Sequence, residues 1–403
     1  MTDEPTPILP DDEEKPPQGE TTGGIRSLRE LIDRVAGRGM RSLSAEGDAG
    51  LAEKLPFPFL ALVGQAEMKL ALLISLINPN IGGVLLIGPR GTGKTTAVRS
   101  LANLLPQTPR SLCYFGCMPE DIETGGIDAV CPDCAHKYGM GEPLAKMDAV
   151  RLVELPLNSR LEDVVGGIDE RAALHARMRV QRGILAQADR NLLYVDEVNL
   201  LPDEIVDAIL DAAAQGSYTV RRGPVASTYR ARFVMIGSMN PEEGRLRPQI
   251  MDRFGLRVIV HGLTDVEDRL EAYRRVHAYL TRPRQVVLEY TQDTLVASAE
   301  IQEARNRMPK VTLPEPVARL GLALVQAMQI DSLRAEITLF EAARAYAAAD
   351  GRLEVNAEDL SGVAAMTLRL RRSDFMRDYF AAQVAEETQL SEMVKRYLPG
   401  GSQ

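Results

Sequence analysis

With 403 residues, 45% of them apolar, the chain is long enough for two or three domains with a real core, although aromatics are only 5% and tryptophan is absent. The net charge of −9 is concentrated in residues 1–20, where seven acidic groups face one lysine, and a chain of this sign has no basic field to hold a nucleic-acid backbone. No basic-then-apolar leader opens the sequence, and the most apolar stretch, 70–87, is broken by Asn78-Pro79-Asn80 and Gly82-Gly83; neither a secretory signal nor a membrane span is expected, and the expected compartment is the cytoplasm.

Residues 1–55, rich in Pro, Gly, Asp, Glu and Thr, are expected to form a mostly disordered acidic arm, with a short amphipathic helix over 25–36 or a partner-docking role as alternatives. From 56 to 262 strands alternate with helices, which predicts an α/β domain with a parallel sheet. The strand candidates are 84–87, 151–155, 192–195, 232–236 and 256–260, five in all. The first runs directly into Gly88-Pro89-Arg90-Gly91-Thr92-Gly93-Lys94-Thr95, which fits G-x-x-x-x-G-K-[ST], and Thr96 continues into a helical pattern. The glycines let successive backbone N–H groups converge on phosphate oxygens, and the new helix adds its positive end. Lys94 is then expected on the β- and γ-phosphates and the Thr95 hydroxyl on Mg2+, so ATP and Mg2+ are the expected cofactors.

All four cysteines fall next, in a loop over 111–140: Cys113-x3-Cys117-x13-Cys131-x2-Cys134. Two close pairs a dozen residues apart have the spacing of a structural Zn2+ site, with His136 as a spare ligand. A redox-responsive dithiol and plain unliganded thiols are the alternatives. The loop is expected to be irregular, and a metal would order it.

A phosphate loop needs a second strand that brings a carboxylate to Mg2+. Leu192-Leu193-Tyr194-Val195-Asp196-Glu197 supplies one, with Asp196 as metal partner and Glu197 as the group that activates the attacking water. A helix follows over 203–215, stopped by Gly216, and then a hairpin over 217–229. The strand at 232–236 ends in Gly237-Ser238-Met239-Asn240, which makes Asn240 a candidate γ-phosphate sensor. Beyond a helix-like segment over 247–251, Arg253 could reach a neighbouring copy's nucleotide; Arg334, opening a later helix, could touch the γ-phosphate of its own chain. Taken as isolated arginines, both are more often surface ion-pair partners than nucleotide contacts. Residues 263–372 carry helical periodicity throughout (264–280, 291–306, 314–329, 335–350 and 357–370), an all-α domain, and 373–403 form a charged helix and tail.

Val63-Gly64-Gln65, the phosphate loop, LLYVDEVNLL over 192–201 and above all GSMNPEEGRLRPQIMDRFG over 237–255 resemble the ATPase (I) subunit of magnesium chelatase, an AAA+ protein. Leu155-Pro156-Leu157, 164–169 and 183–186 add to the resemblance, which covers about 57–370. It implies an AAA+ P-loop domain with a helical lid, and a ring, usually a hexamer, with nucleotide between subunits. Asn240 then matches sensor 1, Arg253 the arginine finger and Arg334 sensor 2, and the region 155–186 is a loop and hairpin facing the ring centre. The implied partners are an integrin-domain chelatase subunit and a large porphyrin-binding subunit; the implied work is ATP-driven insertion of Mg2+ into protoporphyrin IX, in chlorophyll or bacteriochlorophyll synthesis. A cobalt-chelatase ATPase and a MoxR-like AAA+ chaperone share the same nucleotide residues and are the alternatives. The acidic arm, the C-terminal helix and the cysteines depart from the simplest family pattern.

Overall fold

The computed structural model describes residues 55–105, 107–113, 115–167, 182–222, 225–244, 246–372 and 386–394. The acidic arm up to residue 54 with its short helix, the stretch 168–181, and residues 373–385 and 395–403 of the C-terminal extension lie outside them; 386–394 is helical.

Five strands form one parallel sheet: β1 (Val84–Ile87), β4 (Leu152–Leu155), β5 (Leu192–Val195), β8 (Val234–Met239) and β9 (Leu256–Ile259), in the order β4-β5-β8-β1-β9. Strands 84–87 and 192–195 coincide with the expected ones. The fourth differs: it runs to Met239, so Gly237 and Ser238 lie in the strand, not after it. The reason is two-sided pairing, since β8 takes β5 on one side and β1 on the other and is buried along its whole length. Side chains alternate between faces as a parallel sheet covered on both sides requires. Val84 and Leu86 enter one apolar cluster, Leu85 and Ile87 the other.

The second cluster is closed by α7 (Asp203–Gln215), whose Ile205, Val206, Ile209 and Leu210 are buried and whose chain stops at Gly216 with φ +67°. The first cluster continues from α1 (Ala66–Ile77) and α2 (Lys94–Leu101) into the helices that follow the sheet. These are α11 (Thr291–Arg307), α12 (Glu315–Ala327), α13 (Leu333–Ala349) and α14 (Ala357–Leu368), preceded by α9 (Val266–Thr281) and α10 (Pro283–Glu289). The periodicity over 263–372 shows all of these except α10, a seven-residue helix opened by Pro283.

The cysteine segment is not irregular. A hairpin stem of β2 (Thr108–Ser111) and β3 (Ala145–Asp148) encloses α3 (Pro119–Gly125) and α4 (Pro132–Gly139). Short polar strands such as Thr108-Pro109-Arg110-Ser111 carry no apolar alternation, so pattern reading misses them. Two short helices follow later, α5 (Leu161–Val165) and α6 (Ile184–Gln187), then the hairpin β6 (Ser217–Arg222) and β7 (Val225–Arg230), and α8 (Pro248–Arg253). Asp252 and Arg253 are therefore inside a helix, not beyond one. Among the described residues no helix is long and apolar enough to cross a membrane.

Candidate functional site

Register builds the site. Val195 pairs with Gly237, so the next residues on the two strands, Asp196 and Ser238, come side by side; Ile87 pairs with Met239, and the Gly88 N–H donates to the Met239 carbonyl at 3.0 Å. Three strand ends thus converge at the carboxyl edge of the sheet, where open α/β sheets hold their ligands.

Asp196 is the most heavily engaged acid there. Its Oδ1 accepts from Tyr194 OH at 2.8 Å and from the Ser238 hydroxyl, and its Oδ2 lies 3.5 Å from Thr95 Oγ1. Thr95 Oγ1 and Tyr194 OH are 3.1 Å apart. Burial pushes the Tyr194 phenol well up, so it stays a donor and fixes the carboxylate rotamer. The structure brings Thr95 and Asp196 together; Tyr194 and Ser238, which orient them, were not among the residues singled out in the sequence.

Lys94 is buried, and its Nζ donates to the carbonyls of Gly88 and Pro89, each at 2.7 Å. Burial lowers its pKa, and the carboxylates of Asp196, Glu243 and Glu197 oppose that shift. Gly88 is confined: a Cβ there would sit 2.2 Å from the Val260 carbonyl oxygen. Gly91 (φ +78°) and Gly93 (φ +86°) turn the loop with nothing near the position of a Cβ, leaving an open, backbone-lined cradle. Thr92 Oγ1 donates to the Pro89 carbonyl at 3.1 Å, and Thr96 faces a cavity of about 410 Å³ shared with Val63, Gln65, Gly262 and Arg269. Gln65 donates to the His261 carbonyl at 2.6 Å. A backbone cradle, a buried ammonium, a hydroxyl–carboxylate pair and an adjoining cavity fit a nucleotide with its Mg2+: the loop amides and Lys94 would hold phosphates, Thr95 and Asp196 the ion.

Glu197 has left-handed backbone (φ 51°, ψ 51°), a conformation that costs a non-glycine residue on the order of 1 kcal/mol. Its N–H donates to Ser238 Oγ at 3.1 Å, and its Oε1 accepts from Arg90 Nη2 at 3.1 Å. Arg90 also reaches Glu243 Oε1 at 2.6 Å, and Asn240 Nδ2 donates to that same oxygen at 3.0 Å. Arg90, Glu197, Glu243 and Asn240 are therefore one connected group. Glu243 was passed over in the sequence; its place three residues after Asn240 in the Asn-Pro-Glu-Glu-Gly run was the available signal.

The two distant arginines stand apart from that group. Arg253 pairs with Asp211 at 2.8 Å and Asp207 at 3.1 Å, both on α7. Arg334, at the start of α13, is exposed and lies 4.0 Å from Asp252. Asp252 is a junction that sequence reading missed: its Oδ1 accepts from Arg371 at 2.7 Å and from Arg257 at 3.2 Å, and its Oδ2 accepts from Ser332 Oγ at 3.2 Å. Both of those arginine side chains are wholly buried, and burial, reinforced by Arg371, pushes the Arg257 guanidinium down to about 10. One carboxylate thus ties the sheet domain to the helices beyond it, next door to Arg253.

The cysteines gather elsewhere. Their four Sγ atoms lie within 4.8 Å of one another, the one group of three or more potential metal-ligating side chains among the described residues, and His136 is not in it. Burial pushes the Cys117 thiol up to about 11 and the Cys134 thiol higher still.

The AAA domain model matches residues 81–240 and the AAA lid domain model residues 322–393. The magnesium-chelatase 38 kDa subunit of Acidiphilium rubrum is 41% identical over 333 residues, which span 81% of this chain and 95% of that protein. The 38 kDa subunit of Rhodobacter capsulatus is 42% identical over 346 residues, 84% of this chain and 96% of that one. A chain of the solved complex between subunits BchI and BchD of magnesium chelatase is 41% identical, with coverage of 79% and 97% and a TM-score of 0.45. Identity at this level, carried over almost the full length of the relatives, means that the chain belongs to the family of magnesium-chelatase ATPase (I) subunits.

Proposed function

We propose that this chain is the ATP-hydrolysing motor of a magnesium chelatase. Copies of it close into a ring, a hexamer in this reading, and the ring works with an integrin-domain chelatase subunit and a large porphyrin-binding subunit to drive Mg2+ into protoporphyrin IX. The cofactors are ATP and the Mg2+ of the nucleotide; the inserted Mg2+ is cargo. Zn2+ at the cysteine cluster is a structural ion in this reading and takes no part in hydrolysis.

Residues Gly88 to Thr96 bind the phosphates, with Lys94 on the β- and γ-groups. Thr95 and Asp196 hold the ion, with Tyr194 and Ser238 fixing the Asp196 rotamer. Glu197, released from Arg90, accepts a proton from the attacking water, and Asn240 senses the γ-phosphate. Arg334 acts on the nucleotide of its own chain. Arg253 acts on the neighbour's.

The likeness to magnesium-chelatase 38 kDa subunits, 41% and 42% identical over almost their full length, carries the reading; for the shared site, the support is that α7 carboxylates hold the Arg253 guanidinium, which makes no hydrogen bond or ion pair with the phosphate loop of its own chain among the described residues. To complete a site on an adjoining copy, Arg253 would exchange Asp207 and Asp211 for that copy's nucleotide phosphate. Asp252, bonded in sequence to Arg253, is tied by ion pairs to Arg334, to Arg371 beyond α14 and to Arg257 on β9, a route from the neighbour's nucleotide to this subunit's own helical part.

The test is reconstitution with the two partner subunits, following Mg-protoporphyrin fluorescence. ATP-dependent metallation that fails with Glu197→Gln is expected. ATP turnover without metallation of protoporphyrin IX would overturn the chelatase assignment, and Co2+ insertion into a corrin-type ring in its place would select the cobalt reading.

A further inference from the structure

The segment between α2 and β4 lacks the usual means of holding itself together. Its apolar centre is Cys117, Cys134 and Leu144, with Ile122 and Val130 beside them. Helix α3 buries no side chain and α4 buries only Cys134. Leu112, Phe115, Ile127, Tyr138, Met140 and Met147, the large apolar residues that could have made a core, are exposed. Units of about 40 residues with so little apolar burial are generally held by disulfides or by metal.

The centre has the shape of a metal site. Cys113 Sγ lies 3.8 Å from Cys117 Sγ and 3.5 Å from Cys131 Sγ. A disulfide needs about 2.05 Å. Four thiolates at about 2.3 Å from one Zn2+ stand about 3.8 Å apart, the edge of the tetrahedron. The backbone serves the sulfurs as well. The Phe115 N–H donates to Cys113 Sγ at 3.2 Å, and the Cys131 N–H to Cys117 Sγ at 3.4 Å. Gly116, with φ +76°, makes the tight turn between the first two cysteines. Pro132 opens α4 directly after Cys131, which sets Cys134 in the helix's first turn.

We infer that Cys113, Cys117, Cys131 and Cys134 form a closed tetrathiolate Zn2+ site that supplies the missing core of residues 107–149 and anchors that segment on the amino edge of the sheet. Soft thiolates select Zn2+ over the Mg2+ of the nucleotide. Four protein ligands leave no open position, so the ion is structural. What it positions is the start of α3, immediately after Cys117: Glu120 pairs with Arg190 at 2.7 Å, and Asp121 with Arg230. Gly116 packs on the Arg182 guanidinium, 3.3 Å from where a Cβ would be. Arg190 lies two residues before β5 and Arg230 ends β7, so the metal-bound segment braces the base of the β6–β7 hairpin. The hydrogen bonds and ion pairs of the phosphate loop run instead to β5, β8 and the turn after β8. The inference is independent of the ATPase assignment.

The full chain, purified without a metal-binding tag or chelator, is expected to carry about one zinc per chain and no thiol that reacts in the native state; all the cysteines should titrate once the ion is released. Reloading the stripped protein with Co2+ should give the visible absorption of a tetrahedral tetrathiolate. Metal-free protein with reactive thiols, a disulfide, or iron in place of zinc would overturn the site. Cys131→Ser should lose the ion. Because that variant can misfold, the stripped wild type provides the second measurement: limited proteolysis should cut first within 107–149, zinc should restore protection, and fluorescent-ATP binding should not change. Equal protease resistance with and without zinc, or loss of ATP binding with the metal, would overturn the assigned role.

Discussion

The two edges of the central sheet are built on different principles. At the carboxyl edge, β1, β5 and β8 end together, and fully buried strands with the start of α2 bring Thr95, Asp196 and Ser238 to one point. At the amino edge, the cysteine segment hangs from a polar two-stranded stem and has almost no apolar interior. Hydrophobic packing positions one, and side-chain chemistry has to position the other. The account therefore expects damage at the carboxyl edge to appear in turnover with folding intact, and damage at the amino edge to appear in local order with turnover intact.

Variants can break that division. Arg253→Ala should cost the most, roughly 10³–10⁵ in kcat, while nucleotide affinity and thermal unfolding stay near wild type; a loss of under tenfold would take the arginine out of the active site. Glu197→Gln should bind ATP normally and hydrolyse it about 10²–10⁴ times more slowly, and single-turnover kinetics would expose a residue that acts elsewhere. Lys94→Met should lower turnover by about 10²–10³ and change how stability depends on pH. Burial depresses the folded-state pKa of Lys94, so wild-type stability rises as pH climbs through that value towards the unfolded pKa of about 10.4. The variant should lose that slope.

Asp252→Asn sharpens the comparison, because it lies where the division ought to fail. It leaves Arg257 and Arg371 buried beside a neutral partner and should cost about 3 kcal/mol in denaturant unfolding, together with a fall in turnover. Stability lost without any change in turnover would mean that the joint does not communicate. Glu120→Gln is the smallest effect: an exposed ion pair worth under about 1 kcal/mol, visible as faster proteolysis of 107–149 with hydrolysis unchanged.

What the sequence discloses divides along the same line. Gly88 to Thr95 and Asp196-Glu197 are legible because each is contiguous and follows an apolar strand, and the helices of 263–372 because they are long and periodic. Ser238, Glu243 and Asp252 are not: each acts through a partner brought near by strand register or helix packing, such as Arg371, 119 residues away from Asp252. The cysteine spacing is readable, whereas β2, β3, α3 and α4 are hidden because their residues are polar and the elements short.

The central claim is that two copies complete one catalytic site, and complementation tests it most directly. Neither Lys94→Ala nor Arg253→Ala subunits should turn over ATP alone. Mixing them should restore hydrolysis, because intact phosphate loops then meet intact arginines across mixed interfaces. Mixed rings that form and remain inactive would contradict the account, as would an Arg253→Ala protein that hydrolyses ATP at the wild-type rate.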